Sequence, residues 1–245
     1  MKVATFALLI VSLWMPGLAF GSKGNAMEKQ HALSQQQESI ITIAAFTANG
    51  DLAKLKTSLN EGLDAGLTVN EVKEILVQMY AYAGFPRSLN GLGTFMAVMD
   101  ERQSRGIKDA TGKDASPLPT DLDRDEYGAK VRAQLGGLDK VPPPAKWQEF
   151  SPVIDRFLKE HLFADIFARD VLTFQQRELA TIAALASMPG LEGPLSFHLG
   201  AAMNTGLTEE QMKAFVSVIE ARVGRKEAES VSKLLTELLA KRASR

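Results

Sequence analysis

The chain repeats itself, and this repeat limits what it can fold into more than any other feature. Residues 33–46 align with 172–185 at an offset of 139, and residues 55–68 align with 195–208 at an offset of 140. Matching positions include Thr42 with Thr181, Ala44 and Ala45 with Ala183 and Ala184, and Gly66-Leu67-Thr68 with Gly206-Leu207-Thr208. A duplicated unit of this kind predicts two copies of one supersecondary arrangement packed together.

Each copy reads as helices with defined ends. Ser34 and Thr173 are N-cap candidates, each followed three residues later by Gln37 or Gln176. Thr68 and Thr208 repeat the pattern with Glu71 and Gln211. In such a capping box the hydroxyl takes the N3 amide while the longer side chain reaches back to the cap amide. Gly66 and Gly206 stand where the preceding helix must stop, and glycine can take the left-handed conformation that ends it. Val72, Ile75, Leu76, Met79 and Ala83 form one apolar stripe at helical spacing. Met212, Phe215, Val216 and Ile219 form its counterpart. Gly84 and Pro86 end one helix and start another that runs to about Arg105, a segment the second copy is read as lacking. The second copy ends instead in an amphipathic helix carrying Val231, Leu234, Leu235, Leu238 and Leu239. No strand-like alternation is long enough to predict a sheet.

Around the repeats the chain divides into four parts. Residues 1–21 have the order of a secretory signal: basic Lys2, an apolar run from Val3 to Leu13, Pro16-Gly17, then small residues, with cleavage near Ser22 or after Ala26. That apolar run is too short to span a bilayer of about 30 Å, so a soluble mature protein, periplasmic or secreted, is expected. Residues 27–105 hold the first repeat. Residues 106–146 are a linker rich in Gly, Pro, Asp and Lys with a connecting helix, stiffened by Pro142-Pro143-Pro144. Residues 147–245 hold the second repeat. The net charge of −1 supplies no basic field for nucleic acid. The absence of cysteine excludes thiolate chemistry, disulfides and sulfur-ligated metals.

Several ordered motifs carry a resemblance. Tyr82-Ala83-Gly84-Phe85-Pro86 follows a helix that starts at Gly66-Leu67-Thr68 with Glu71. Arg177-Glu178 precedes Leu195, His198, Ala202, Asn204 and Gly206-Leu207-Thr208. Residues Tyr127 to Arg132, with Phe157 to Phe163, complete the set. In this order they resemble the carboxymuconolactone decarboxylase family. The resemblance implies an all-α fold of tandem helical repeats, assembly into trimers or larger rings, and decarboxylation of a small carboxylated lactone without a cofactor. The wider family includes alkylhydroperoxidase D, which carries a Cys-x-x-Cys pair ahead of a histidine. Here Leu191 and Pro194 stand at those places, so no thiolate is available to attack a peroxide.

Decarboxylation leaves an electron pair that a positioned acid must protonate, so the site needs a group that titrates near neutrality and a partner that holds it. His198 fits the first need and Glu178 the second. They lie on consecutive helices joined near Pro189-Gly190, at levels about one turn apart, so direct contact or one bridging water both fit. Ser39 and Ser58 replace them in the first copy, which cannot perform the same step. The first copy can instead wall the second copy's pocket, within the chain or between subunits, through Tyr80, Tyr82 or Phe85. Arg177, Arg87 and Arg169 are candidates to hold a substrate carboxylate, although a solvated surface arginine is the favoured reading of each. His161 and Asp165 stand four apart, which fits a hydrogen bond better than a metal site without a third ligand. No metal is expected, and His31 has no assigned role. The rival reading is a non-catalytic helical module that binds a small ligand or a partner.

Overall fold

The computed structural model describes residues 32–244. The signal-like segment 1–21 and His31 lie outside the described residues. The first repeat comprises α1 (Gln35–Asn49), α2 (Leu52–Asp64) and α3 (Val69–Ser104). Between the repeats come α4 (Arg124–Leu135), short α5 (Lys146–Phe150) and α6 (Pro152–Arg156), and a π-helical segment (Phe157–Ile166). The second repeat comprises α7 (Phe174–Ala186), α8 (Glu192–Asn204), α9 (Glu209–Arg222) and α10 (Arg225–Ala243). The fold is all-helical, with no strand among the described residues.

The four capping boxes all form. Ser34, Thr68, Thr173 and Thr208 each accept the N3 amide, and Gln37, Glu71, Gln176 and Gln211 accept the cap amide, at 2.8–3.2 Å. Each cap is worth about 1 kcal/mol of helix stability. Gly66 and Gly206 adopt φ of 93° and 105°. A Cβ at Gly66 would lie 3.1 Å from Gln36 Nε2, and one at Gly206 would lie 3.3 Å from Gln175 Nε2. Because Gln36 and Gln175 also align in the two copies, the repeat extends to contacts between helices.

The end of the second repeat needs a correction. Gly84, at φ 82° and ψ 160°, breaks α3 after its first four turns, as its sequence predicts. The second copy does not lack the helix beyond the break. Gly224 stands at the same offset of 140, with ψ 156°, between α9 and α10. The counterpart was hidden because Tyr82-Ala83-Gly84-Phe85-Pro86 is replaced by Arg222-Val223-Gly224-Arg225-Lys226, which keeps only the glycine. The linker is also more firmly held than its composition suggests. Val69 and Asn70 donate their amides to Ala110 and Thr111 at 2.9 and 3.0 Å, and Ser116 donates its amide to Asp170 at 2.8 Å. The connecting helix α4 joins the π-helical segment in a second small core with Val131, Leu135, Leu162, Phe163 and Phe167.

The repeats meet along α1 and α7, whose apolar faces bury Ile40, Ile43 and Ala44 with Leu179, Ile182 and Ala183. A polar lock crosses this core. Arg177 is fully buried, and its Nη2 donates to Glu74 of α3 at 3.2 Å and to the Arg169 carbonyl at 2.6 Å. Its Nη1 donates to Gln78 Oε1 at 2.9 Å, while Gln78 Nε2 donates to the Arg177 carbonyl and to Thr181 Oγ1, both at 2.9 Å. Arg169 grips the same Glu74 carboxylate through Nε and Nη2 at 2.7–3.0 Å. Removing one partner of a buried ion pair strands the other charge. Glu74→Ala should therefore lower the unfolding free energy by roughly 3–5 kcal/mol in urea denaturation. Glu74→Leu combined with Arg177→Met should recover most of that loss.

Candidate functional site

His198 lies on α8 and Glu178 on α7, which run back along one another after the turn at Ser187–Leu191. The imidazole Nδ1 and Glu178 Oε2 are 2.8 Å apart, a direct hydrogen bond. Glu178 is fully enclosed and His198 is 6% exposed. An ionised Glu178 would accept this bond from Nδ1–H, and Nε2 is the ring nitrogen that the contact leaves over. The other carboxylate oxygen, Oε1, has no hydrogen-bond partner.

The first repeat closes over this pair within the same chain. Tyr82, on the last turn of α3 before the break at Gly84, sets its ring edge-on to His198 at 5.7 Å between centroids. Its hydroxyl is enclosed near Thr181, outside hydrogen-bond geometry. Burial pushes the Tyr82 phenol well above its ordinary range, and the negative charge of Glu178 adds to the effect. Phe197 packs against the imidazole at 5.1 Å. In contrast, Tyr80 stacks on Phe85 at 4.5 Å and meets His161 at 5.5 Å. Phe85 is 64% exposed and stacks on Tyr80, so of the three aromatic residues offered as a wall only Tyr82 meets His198.

Three arginines were candidates for a substrate carboxylate, and the structure separates them. Arg177 is neither a surface arginine nor free to bind substrate: Glu74, Gln78 and the Arg169 carbonyl take its two terminal nitrogens, and its Nε is enclosed without a partner. Arg169 is committed to Glu74 as well. Arg87 has no ion-pair partner among the described residues. It lines, with Tyr82, Asn49, Met188 and Leu191, a cleft of ≈ 480 Å³ at the junction of the repeats. Two further clefts, of ≈ 320 and ≈ 430 Å³, lie beside α4 and share Phe197. Neither Glu178 nor His198 lines any of these three; the Tyr82 ring stands between the first cleft and His198.

The first copy has no equivalent pair. Ser39 donates its hydroxyl to the Gln35 carbonyl at 2.9 Å, and the Ser58 hydroxyl is enclosed without a partner. Arg222, at Tyr82's place in the second copy, binds Glu61. His161 and Asp165 form a hydrogen bond at 2.9 Å, and Asp165 also accepts from Arg124 at 2.7 Å. No group of three His, Cys, Asp or Glu is placed to hold a metal among the described residues. Glu74 and Gln78 escaped sequence reasoning. Their one visible signal is two polar residues, four apart, beside an apolar stripe; their counterparts Ala214 and Val218 are apolar.

An all-helical double repeat with a buried histidine–carboxylate pair in one copy defines the class of protein. Comparison with known families then places it. The model of the carboxymuconolactone decarboxylase family matches residues 19–95 and again 152–237, and the chain belongs to that family. It is also similar to a 4-carboxymuconolactone decarboxylase of Acinetobacter baylyi, 28% identical over 97 residues that cover 39% of this chain and 72% of that protein.

The enclosure of Tyr82 has a measurable consequence. Its folded-state pKa lies above the unfolded value, so above about pH 10 the unfolded chain binds fewer protons and stability falls as pH rises. Near-ultraviolet titration should show one of the three tyrosines still protonated at about pH 11, until the chain unfolds. Tyr82→Phe should abolish that late phase.

Proposed function

We propose that this protein performs acid/base chemistry, decarboxylation or isomerisation, on a small carboxylated lactone or oxoacid. The observation that carries this reading is the buried 2.8 Å contact between His198 and Glu178. A carboxylate on Nδ1 fixes the orientation and tautomer of the ring. His198 then gives or takes a proton through Nε2, and Glu178 acts as its positioning residue. Family membership and the similarity to a named decarboxylase support the reading. No cofactor enters it. Purified protein supplied with 4-carboxymuconolactone should release CO2. His198→Asn should lower the rate by about 10²–10⁴, the usual contribution of a positioned general acid. An unchanged rate in that variant would overturn the assignment.

One observation favours a second reading, a non-catalytic ligand-binding module: neither member of the pair lines the described clefts. Absence of CO2 release from every lactone and oxoacid tried, with ligand binding retained, would select it.

We propose further that the chain assembles into a trimer or larger ring. Phe85, Leu89 and Met96 are 60–68% exposed on the second half of α3, an apolar stripe that a solvated surface would not favour. Leu89→Glu with Met96→Glu should shift sedimentation toward the monomer. The signal-like N-terminus supports export, and fractionation of expressing cells checks it. No helix among the described residues is long and apolar enough to cross a membrane.

A further inference from the structure

We infer that the cleft at the junction of the repeats binds a small organic acid through one carboxylate, with Arg87 as its anchor. This deepens the acid/base reading above and rests on it for the identity of the reacting molecule. Three observations converge. First, of the three arginines considered for a substrate carboxylate, Arg87 is the one without an ion pair among the described residues. Its two rivals are consumed by Glu74, whereas the Arg87 guanidinium has no carboxylate within ion-pair range and no hydrogen-bond partner among the described residues.

Second, the guanidinium has a seat. It lies directly across Gly50, the C-cap of α1, so closely that a Cβ there would fall 1.2 Å from Nη1 and 2.4 Å from Cζ. Gly50 also has φ 80°, which a side chain would strain. The negative end of α1 attracts the cation to this place, yet no carbonyl there accepts a hydrogen bond from it, so its planar fork stays open for a ligand. Arg87 is exposed, and the missing side chain at Gly50 lets its guanidinium lie close over the end of α1.

Third, the cleft in front of it has the right character. Arg87 is the one charged residue in a lining otherwise made by Tyr82, Asn49 and mostly apolar side chains such as Ala48, Met188 and Leu191. No acid opposes an anion there. Asn49 accepts the Asp51 amide through Oδ1 at 3.0 Å, which leaves its amide protons free. A guanidinium fork matches one carboxylate bidentately, the apolar walls accept a hydrocarbon or ring body, and no second cation awaits a second charge. At ≈ 480 Å³ the cleft falls within the usual size range of small-molecule sites. A molecule so held meets Tyr82, whose ring also contacts His198.

The test uses benzoate as the probe and benzamide as its uncharged counterpart, titrated into the ¹⁵N-labelled full chain. Benzoate should shift the amide resonances of Ala48, Ala83 and Leu191, and benzamide should bind at least roughly tenfold more weakly, as loss of a charge-assisted hydrogen bond requires. Arg87→Gln should weaken benzoate by a similar factor, leave benzamide unchanged, and be partly rescued by Arg87→Lys. His198→Asn should leave benzoate binding intact. Equal binding of acid and amide, shifts that map elsewhere, or an Arg87→Gln variant that loses thermal stability but no affinity would each overturn the inference. The two readings fail separately. Carboxylate binding without turnover removes the reaction and keeps the anchor, whereas turnover in Arg87→Gln with unchanged KM removes the anchor and keeps the reaction.

Discussion

Arg177 sits fully inside the molecule, and that is tolerable only because Glu74 arrives from the other repeat to meet it. A guanidinium in the core costs several kcal/mol unless its donors are paired. Here the fold supplies a carboxylate, an amide oxygen and a backbone carbonyl, and Gln78 returns two bonds to α7. Apolar packing between α1 and α7 provides most of the driving force, but such a face tolerates sliding. The polar lock does not, since its hydrogen bonds tie particular residues of α3 to particular residues of α7 at one level of each helix. It sets the register of α3 on α7, and everything at the site follows from that register.

The consequence appears one residue further along. Glu178 follows Arg177 in sequence, so locking Arg177 also fixes Glu178 where it meets His198. Tyr82 lies one turn beyond Gln78 on α3, so the contacts that hold Gln78 also bring the Tyr82 ring edge against the imidazole. The first repeat has lost its own acid/base pair and has become a structural part of the other's. Ser39 turns back on its own helix and Arg222 is drawn to Glu61, so the second copy's end of the pseudo-symmetry carries no matching chemistry.

Much of this fold was legible in the residues themselves. Capping boxes, stop glycines and apolar stripes are local, and helix ends depend on groups within four residues of each other, so Ser34, Thr68, Thr173 and Thr208 could be read directly. The pair Glu178–His198 was also legible, because two consecutive helices of known rise leave few choices for which levels face each other. The helix after Gly224 was legible from its apolar spacing, but its correspondence to the helix after Gly84 was not, because substitution kept only the glycine around the break. Arg177 was misjudged because an arginine beside a catalytic candidate looks the same on paper whether it faces solvent or a carboxylate 103 positions away.

The sequence by itself therefore determined the double helical repeat, its caps and breaks, the loss of thiol chemistry, and the one copy that keeps a titratable pair. Those depend on residue type and short-range spacing. Only the tertiary structure decided that Tyr82 screens His198 within one chain, that Glu74 consumes Arg177 and Arg169, and that Arg87 alone remains open over Gly50. These outcomes depend on which helices pack together and at what level. That choice is made by shape and by the pairing of buried charges across the whole chain, which no local pattern encodes.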